Sequence, residues 1–269
     1  MSESGMLVLR DLHKTFNPGT VMQKKALDGV NLVLNKGDFV TVIGGNGAGK
    51  STMLNAISGT FQVDSGAILL DGRDMTHLPE HKRAAFLGRV FQDPMTGTAA
   101  TMNIDENLAL ASRRGQSRSL RWGITAKERS VYREKLASLD LGLEDRMGSK
   151  VGLLSGGQRQ ALTLLMATLK KPELLLLDEH TAALDPKTAE KVLRLTRHLI
   201  QENGLTALMV THNMKDALAL GNRIIMMHEG RIILDLDEEQ KRHMTVEDLL
   251  SQFEKASGHE LSNDRMLLV

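Results

Sequence analysis

The sequence predicts an α/β fold: a mostly parallel β-sheet covered by helices, with a helical subdomain inserted into it. Short apolar runs recur along the chain, and several are continuous rather than alternating, which is typical of strands buried on both faces. Helix-like runs alternate with them in the C-terminal half, as expected for parallel strands joined by helices. The strand candidates are MLVL (6–9), VNLVL (30–34), FVTVIG (39–44), AILL (67–70), LLLLD (174–178), TALMVT (206–211), RIIMM (223–227) and RIIL (231–234).

The middle of the chain predicts the inserted subdomain, because helical patterns follow one another from about residue 102 to 171 without a convincing strand. The helix candidates there are NIDENLALAS, TAKERSVYREKLASLDLG and GGQRQALTLLMATLKK. The basic stretch RRGQSRSLRWG (113–123) is interpreted as a solvated loop, with a docking surface for another protein as the alternative. A further helix is predicted over 187–203, where the helical spacing stops before Gly204.

These patterns suggest how residues 1–269 are organised as one domain. The core is expected to comprise about 6–93 and 172–240, and the helical subdomain about 94–171. The remaining residues, about 241–269, are expected to form a C-terminal helix and tail.

Composition excludes several classes of protein. The chain has 269 residues, 41% of them hydrophobic and 25% charged, and its formal charge of +1 gives no argument for nucleic acid as a partner. It has no cysteine, which excludes disulfides, thiolate metal sites and thiol nucleophiles. We expect no signal peptide, and no apolar run approaches the roughly 18 residues of a membrane span. A role at a membrane would therefore depend on a partner.

The segment GGNGAGKST has the spacing of a phosphate-binding loop: Gly44, four residues, then Gly49, Lys50 and Ser51. It follows the strand-like FVTVI and precedes the helix-like STMLNAIS, which is the context that the pattern requires. Glycines let backbone N–H groups surround a phosphate, the helix N-terminus adds partial positive charge, and Lys50 neutralises the terminal phosphates. The Ser51 hydroxyl is suited to ligate Mg²⁺. The predicted loop residues are Gly44, Gly45, Asn46, Gly47, Ala48, Gly49, Lys50, Ser51 and Thr52.

Two acidic residues end the apolar run LLLLDE, where an unpaired buried charge would be costly. Asp178 is predicted to hold Mg²⁺, directly or through water, and Glu179 to orient or deprotonate the attacking water. His212 lies at the tip of the next strand-like run, LMVTH, where it is predicted to sense the γ-phosphate. The alternatives are a strand that simply reaches the surface and a histidine with a purely structural role.

A second segment, LSGGQ (154–158), also has the composition of an anion-binding loop, with a hydroxyl, two glycines and an amide at the start of a helix-like run. Taken in order, GGNGAGKST, LSGGQRQ, LLLLDEHTAALD and VTH resemble the motifs of ATP-binding cassette (ABC) ATPases, over roughly residues 6–235. LSGGQ is the distinguishing motif, because other P-loop NTPases lack it. The resemblance implies a P-loop NTPase fold, with an ABC ATPase core, an N-terminal antiparallel β part and an inserted helical subdomain.

The resemblance also implies why one chain carries two anion-binding loops. In such proteins two cassettes pack head to tail, and each ATP lies on the phosphate loop of one subunit beneath the LSGGQ loop of the other. A twofold dimer uses each patch twice, so two composite sites result. The residues implied to contact the partner's ATP are Ser155, Gly156, Gly157 and Gln158.

Three further positions match the family one by one. Phe16 corresponds to the aromatic residue that stacks on adenine, with a core phenylalanine as the alternative. Gln92 corresponds to the glutamine that touches Mg²⁺ and the attacking water, with turn chemistry before Asp93 as the alternative. Asp185 corresponds to the loop that crosses the dimer interface; alone it would be interpreted as a helix N-cap. The chain departs from many relatives at His180, where they have proline, and we assign His180 no catalytic role.

The segments DEHTAALDP and THNMKDALALGNRIIMMHEGRII together resemble the ATPase components of bacterial uptake systems for amino acids of the tryptophan or tyrosine kind. The resemblance implies an ATPase subunit of an importer for an amino acid or a related small solute, with ATP and Mg²⁺ as the cofactors. The implied partners are a second copy of the chain, integral membrane permease subunits and an extracytoplasmic solute-binding protein, without nucleic acid. The chain would then lie at the cytoplasmic face of the plasma membrane, as a peripheral subunit. The alternative is a non-transport ABC ATPase in DNA repair, chromosome maintenance or ribosome function; a regulator without turnover is disfavoured because Glu179 and His212 are both present.

Overall fold

The structure, a computed structural model, describes residues 5–116 and 123–257. It divides into two compact units, Met1–Arg83 with Leu205–Val269, and Ala84–Gly204. Most of the basic stretch 113–123 and the tail from 258 onward lie outside the described residues, so the predicted loop and the end of the predicted tail stay predictions.

The described elements alternate between strands and helices over most of the chain. The first unit begins with β1 (Leu7–Phe16), β2 (Lys24–Leu34), β3 (Phe39–Ile43), α1 (Lys50–Ser58), β4 (Ser65–Leu70), β5 (Arg73–Asp74) and α2 (Glu80–Arg83). The second unit contains β6 (Leu87–Val90), α3 (Ile104–Ser112), α4 (Ala126–Ala137), α5 (Gly156–Leu169), β7 (Leu174–Asp178) and α6 (Pro186–Asn203). The chain then returns to the first unit with β8 (Thr206–Val210), α7 (Met214–Ala219), β9 (Arg223–His228), β10 (Arg231–Leu236), α8 (Glu238–Arg242) and α9 (Val246–Ser257).

The first unit contains both antiparallel and parallel pairing. One sheet is antiparallel, in the order β2-β1-β4-β5, with Leu7 opposite Leu34 on one side and Leu70 on the other. Elsewhere in the unit β3 pairs parallel with β8 and β9, and β10 closes antiparallel onto β9. Every residue of β3 and β8 is buried, as their continuous apolar sequences predict.

The second unit joins a parallel strand pair to a cluster of helices. β6 pairs parallel with β7, whose four leucines are buried. The helices share an apolar core to which α3, α4 and α5 contribute, with Leu108, Leu136 and Leu162 fully buried at its centre. α6 is strongly amphipathic and buries a stripe of Val192, Thr196, Leu199 and Ile200.

The predicted fold class is confirmed: the chain is α/β, with an antiparallel N-terminal sheet, parallel pairing of the buried strands and a helical region between β6 and β7. All eight predicted strand runs overlap strands of the structure. The prediction missed the two-residue strand β5, and it missed β6 because the sequence LGRV contains a glycine and an arginine. Gly88 is needed there, since a Cβ atom would lie 2.7 Å from the Ala167 carbonyl oxygen of α5.

No helix among the described residues is long and apolar enough to cross a membrane.

Candidate functional site

The turn between β3 and α1 is the predicted phosphate-binding loop, and its glycines are sterically required. Gly44 has φ 149°, and a Cβ atom there would lie 2.2 Å from the Met227 carbonyl oxygen. Gly49 has φ 102°, and a Cβ atom there would lie 2.6 Å from the Ala26 carbonyl oxygen. The loop is therefore wedged between β2 and the end of β9 in a conformation that L-residues rarely adopt.

Positive charge is concentrated at this loop. Lys50 is only 6% exposed, and its Nζ donates hydrogen bonds to the carbonyl oxygens of Gly44 (2.7 Å) and Gly45 (3.1 Å), so the side chain folds back over the loop. Gly49 is the N-cap of α1, and no side chain caps this helix end. A helix N-terminus that carries partial positive charge beside an ammonium group has the chemistry to bind a phosphate.

The hairpin formed by β1 and β2 approaches the same loop. Phe16, the adenine candidate, is half-buried and packs edge-to-face on Phe61, with ring centroids 5.3 Å apart. Lys24 lies directly opposite Phe16 in the strand register. Its Nζ would be 3.0 Å from a Cβ atom on Gly47, which places the ammonium against the phosphate loop. Sequence reasoning missed Lys24, because its position beside the loop depends on the pairing of β1 with β2.

His212 follows β8 and is exposed. It lies near Asp216 of α7, where burial raises the pKa of the carboxyl group and the charge of His212 opposes that shift. The next residue after His212 is Asn213, which caps α7. Its side chain accepts hydrogen bonds from the backbone N–H groups of Lys215 and Asp216. This cap fixes the start of α7, where the chain turns away from β8. It therefore also fixes the position of His212, which lies just before it.

In the second unit, β7 ends at the two predicted acidic residues. Asp178 and Glu179 are both half-buried, and Glu179 has φ 41°. A left-handed conformation costs an L-residue about 1–2 kcal/mol and is rare for a residue such as glutamate. Contacts on the following residues must therefore hold the turn, and backbone hydrogen bonds from Ala182 to Glu179 and from Leu184 to Thr181 are among them.

His180, the departure from many relatives, is buried at 2% exposure. Its Nε2 lies 2.9 Å from the Thr196 hydroxyl of α6. Desolvation lowers the pKa of His180 to about 4, so the ring is neutral at physiological pH.

The LSGGQ segment begins α5. Ser155 is its exposed N-cap and forms a reciprocal capping box with Gln158, through Ser155 Oγ to the Gln158 N–H (3.3 Å) and Gln158 Oε1 to the Ser155 N–H (3.2 Å). Gly156 is exposed, whereas Gly157 is buried against α6, so that a Cβ atom would lie 2.2 Å from Thr188 Cγ2. The segment therefore leaves a helix N-terminus accessible on one side and packs tightly on the other.

A cleft of about 570 Å³ opens beside this segment, within the second unit. Its lining combines Ser155 and Gln158 with the basic residues Lys191 and Arg194 of α6. Arg194 is paired with Glu190, so its charge is partly neutralised.

Asp185 is the N-cap of α6. Its side chain accepts a hydrogen bond from the Thr188 N–H (3.1 Å), and Pro186 occupies the first helical position. The hydrogen bonds from the Thr188 side chain and backbone lower the pKa of the Asp185 carboxyl group, which keeps it ionised. The helix-cap interpretation is therefore correct for the local structure.

Gln92 follows β6 and is exposed. The next residues form a tight turn, in which Asp93 Oδ1 accepts a hydrogen bond from the Met95 N–H (2.8 Å). Just before it, the Arg89 guanidinium lies 4.4 Å from the ring centroid of Phe91.

The predicted site residues divide between the two units. The first unit carries the phosphate loop, Phe16 and His212; the second carries Gln92, Asp178, Glu179, the LSGGQ segment and Asp185. Within the described ranges, no group of three or more His, Asp or Glu side chains forms a metal site. A Mg²⁺ ion bound mainly through phosphates and water needs only one or two protein oxygens, and the hydroxyl of Ser51 and the carboxylate of Asp178 are of the right chemical kind.

Comparison with known proteins gives consistent matches. Residues 27–182 match the family described as ABC transporter. Over 256 residues the chain is 44% identical to the tyrosine transport ATP-binding protein of Clostridioides difficile (strain R20291), covering 93% of this chain and 100% of that protein. It is 36% identical over 211 residues to the methionine import ATP-binding protein MetN of Rhizobium johnstonii, covering 77% of this chain and 56% of that protein.

Solved structures are similar as well. The dimeric structure of MJ0796, a bacterial ABC transporter cassette, superposes with a TM-score of 0.74 at 31% identity, over 87% of this chain and 99% of that one. A post-hydrolysis state of the same cassette bound to ADP and Pi gives a TM-score of 0.73 at 30% identity, over 87% and 99% of the two chains.

Proposed function

This chain belongs to the ABC transporter family, and we propose that it is the ATP-hydrolysing subunit of an importer for an amino acid or a related small solute. Binding ATP and hydrolysing it to ADP and phosphate is the activity of the family. The observation that carries the proposal is the steric fit of the phosphate loop, with its required glycines and the buried Lys50 at an uncapped helix N-terminus.

Importer function and an amino-acid cargo are supported by the relatives. One is described as a tyrosine transport protein and matches over nearly all of both chains, and another is described as a methionine import protein. The cargo of this chain would be selected by its membrane and solute-binding partners.

In the proposed site, the backbone of Gly44–Thr52 surrounds the phosphates of ATP while Phe16 stacks on adenine. Lys50 would exchange its carbonyl contacts for the β- and γ-phosphates, since an ammonium gains more from anionic oxygens than from neutral ones. Ser51, Asp178 and Gln92 would hold Mg²⁺, which neutralises charge on the transferred phosphoryl group.

Hydrolysis needs a positioned water and a sensor for the γ-phosphate. Glu179 would orient or deprotonate the water, and His212 would contact the γ-phosphate. The conformation of Glu179 at φ 41° supports its role, because residues in such disfavoured backbone conformations cluster at active sites.

The second half of each site would come from another copy of the chain. Ser155, Gly156, Gly157 and Gln158 would cap the partner's ATP, and Asp185 would lie at the interface. The exposed helix N-terminus at Ser155 and Gly156 supports this role, as does the similarity to a cassette solved as a dimer. The dimer would dock on permease subunits at the cytoplasmic face of the plasma membrane, and an extracytoplasmic solute-binding protein would deliver the cargo to the permease.

ATPase assays on the purified chain test the proposal. We expect Glu179→Gln to lower kcat by at least about 100-fold while ATP still binds, since removal of a general base has effects of this size. Lys50→Ala should lose ATP binding itself. The matched control is Glu190→Gln, which removes a negative charge from the exposed face of α6. This variant should hydrolyse ATP at the parental rate. A Glu179→Gln variant that hydrolyses ATP at the parental rate would remove Glu179 from its assigned role.

A transport assay tests the importer. The chain is reconstituted in liposomes with its permease and binding protein, and uptake of radiolabelled tyrosine, tryptophan and methionine is measured with ATP inside. ATP-dependent uptake of one of them, lost with Glu179→Gln, is the expected result. ATP-driven export would contradict it.

A further inference from the structure

The turn that follows Glu179 is fastened to α6 by a buried polar contact that none of the assigned roles uses. His180 is 2% exposed and Thr196 is fully buried, in the middle of α6. Their side chains meet through His180 Nε2 and Thr196 Oγ1 at 2.9 Å. This contact joins the residue next to the proposed water-activating carboxylate to the longest helix of the second unit.

The direction of the hydrogen bond follows from the partners of Thr196. The Thr196 hydroxyl also lies 2.9 Å from the Val192 carbonyl oxygen, to which it donates its hydrogen. A hydroxyl has one hydrogen and two lone pairs, so Thr196 Oγ1 accepts from His180. The imidazole is therefore the tautomer with hydrogen on Nε2. His180 donates to the Thr196 hydroxyl, and that hydroxyl donates to the Val192 carbonyl oxygen.

The loop from Glu179 to Asp185 is thereby attached to α6 at two points. Asp185 caps the start of the helix through the Thr188 N–H, and His180 bonds to its middle through Thr196. Between them, the Ala182 N–H bonds to the Glu179 carbonyl oxygen at 3.0 Å. A loop fixed at both ends and in its interior has little freedom to relax.

Glu179 needs such a restraint, because at φ 41° its backbone is in the left-handed region that L-residues disfavour. If the restraint were lost, Glu179 would relax towards negative φ, and its side chain would leave the Cα atom in another direction. A displacement of about 1 Å in a catalytic group can lower a rate by as much as 100-fold.

We propose that the His180–Thr196 hydrogen bond is a positioning device that holds Glu179 in its strained conformation, so that it sets the rate of ATP hydrolysis without contacting the nucleotide. The inference rests on the proposed function of Glu179 as the residue that activates water. His180 acts only through Glu179, and it is therefore a positioning residue.

Two pairs of variants separate the hydrogen bond from packing. Thr196→Val keeps the shape of the side chain and removes the hydroxyl, whereas Thr196→Ser keeps the hydroxyl and removes a methyl group. His180→Leu removes the donor, whereas His180→Gln carries an N–H donor at about the reach of Nε2. If His180→Leu fails to fold, the two Thr196 variants still provide the test.

Steady-state ATPase kinetics on the full chain give the expected result. Thr196→Val and His180→Leu should lower kcat by about tenfold with the KM for ATP within about twofold, because misplacing a catalytic group slows chemistry and not binding. Thr196→Ser and His180→Gln should stay within about threefold of the parental kcat. In a Glu179→Gln background, Thr196→Val should cause no further loss of the residual rate, because its effect passes through Glu179.

Other outcomes would overturn the inference. One is a Thr196→Val variant with parental kcat; another is an equal loss of kcat in Thr196→Val and Thr196→Ser, which would assign the effect to packing. The proposed function fails separately, if Glu179→Gln itself retains full turnover. A dead Glu179→Gln variant beside four fully active His180 and Thr196 variants would reject this inference alone.

Discussion

Two lysines bring positive charge to the phosphate loop, and they differ in how firmly they are held. Lys50 is buried and bonded to two loop carbonyl oxygens, whereas Lys24 is exposed and reaches Gly47 from the neighbouring hairpin. Lys24 also stands opposite Phe16, which puts it between the proposed adenine end and the phosphate end of the nucleotide. Its contribution should therefore be to ATP affinity and not to the chemical step.

We predict that Lys24→Ala raises the KM for ATP about three- to fivefold with little change in kcat, because an exposed ion contact is worth about 0.5–1 kcal/mol. Lys25→Ala is the matched control: the next lysine along the strand is paired with Asp28 at 2.7 Å and should leave KM unchanged. The comparison is made by ATPase kinetics at low and high salt, where screening should shrink the Lys24 effect. Equal effects of the two substitutions would contradict a specific role for Lys24.

Single residues were predictable where the cause is local in sequence. The cap of Asp185 before Pro186 is a local pattern, and it forms as expected. The capping box of Ser155 and Gln158 is local too, but the sequence reasoning interpreted those residues only as an anion-binding loop. The contacts of Lys24 with Gly47 and of His180 with Thr196 join residues far apart in the chain or on different elements. Pairing of this kind depends on tertiary packing, which no local pattern records.

At the scale of elements, the helix that starts at the phosphate loop is fixed at its other end by a buried arginine. Arg83 is 1% exposed and donates to the carbonyl oxygens of Ala56 and Ile57 in α1 at 2.7 and 2.8 Å, and to those of Leu78 and Thr76 at 2.6 and 3.0 Å. A cation at a helix C-terminus also complements the helix dipole. Arg83 thus orients α1, and through α1 the loop at its N-terminus.

We predict that Arg83→Met lowers the free energy of unfolding by about 3 kcal/mol, because it removes the hydrogen-bond donor of several buried carbonyl oxygens. The exposed neighbour on α2 provides the control, since Lys82→Met should change stability by less than about 0.5 kcal/mol. Urea denaturation followed by circular dichroism measures both. An Arg83→Met variant as stable as Lys82→Met would show that α1 does not depend on this contact.

The close contact between α5 and α6 at Gly157 gives a second prediction for elements. Gly157→Ala should lower the thermal midpoint by several degrees and reduce ATPase turnover, because its Cβ atom would meet Thr188 Cγ2 at 2.2 Å. Thr188→Ser removes that methyl group and keeps the hydroxyl near Asp185, and the remaining Thr188 atoms lie 3.6 and 3.9 Å from the Cβ position.

The double variant Gly157→Ala with Thr188→Ser should therefore recover both the midpoint and the turnover, while Thr188→Ser alone stays close to the parent. If the double variant is as impaired as Gly157→Ala, the steric explanation is wrong and the glycine is needed for another reason.

The strands differed from one another in how well the sequence predicted where they begin and end. Buried strands such as β3 and β7 were visible as continuous apolar runs, but β1 and β2 extend beyond theirs, to Phe16 and back to Lys24. Those extensions mix polar and apolar residues and are partly exposed, and register shifts interrupt their pairing. They form because each strand finds a partner across the hairpin, which periodicity within one strand does not reveal.

At the scale of the whole molecule, the two anion-binding loops lie in different units of one chain, and the proposed sites need both loops on one nucleotide. A head-to-tail dimer satisfies this requirement, because a twofold axis pairs the phosphate loop of each copy with the LSGGQ segment of the other. ATP would then act as the bridge between copies, and hydrolysis would remove the bridge. Blocking hydrolysis should trap the dimer.

We predict that Glu179→Gln with Mg²⁺ and ATP elutes as a dimer in size-exclusion chromatography with light scattering, and as a monomer with ADP. Ser155 offers a sharp test of the interface, because it is the exposed N-cap of α5. Asp and Asn cap helices as well as Ser does, so both substitutions preserve the helix, but only Asp adds a charge that repels phosphate. In the Glu179→Gln background, Ser155→Asn should dimerise with ATP and Ser155→Asp should stay monomeric while its own phosphate loop still binds ATP. Dimerisation of the Ser155→Asp variant at the same ATP concentration as its parent would mean that the LSGGQ segment does not meet the partner's nucleotide, and the composite site would have to be abandoned.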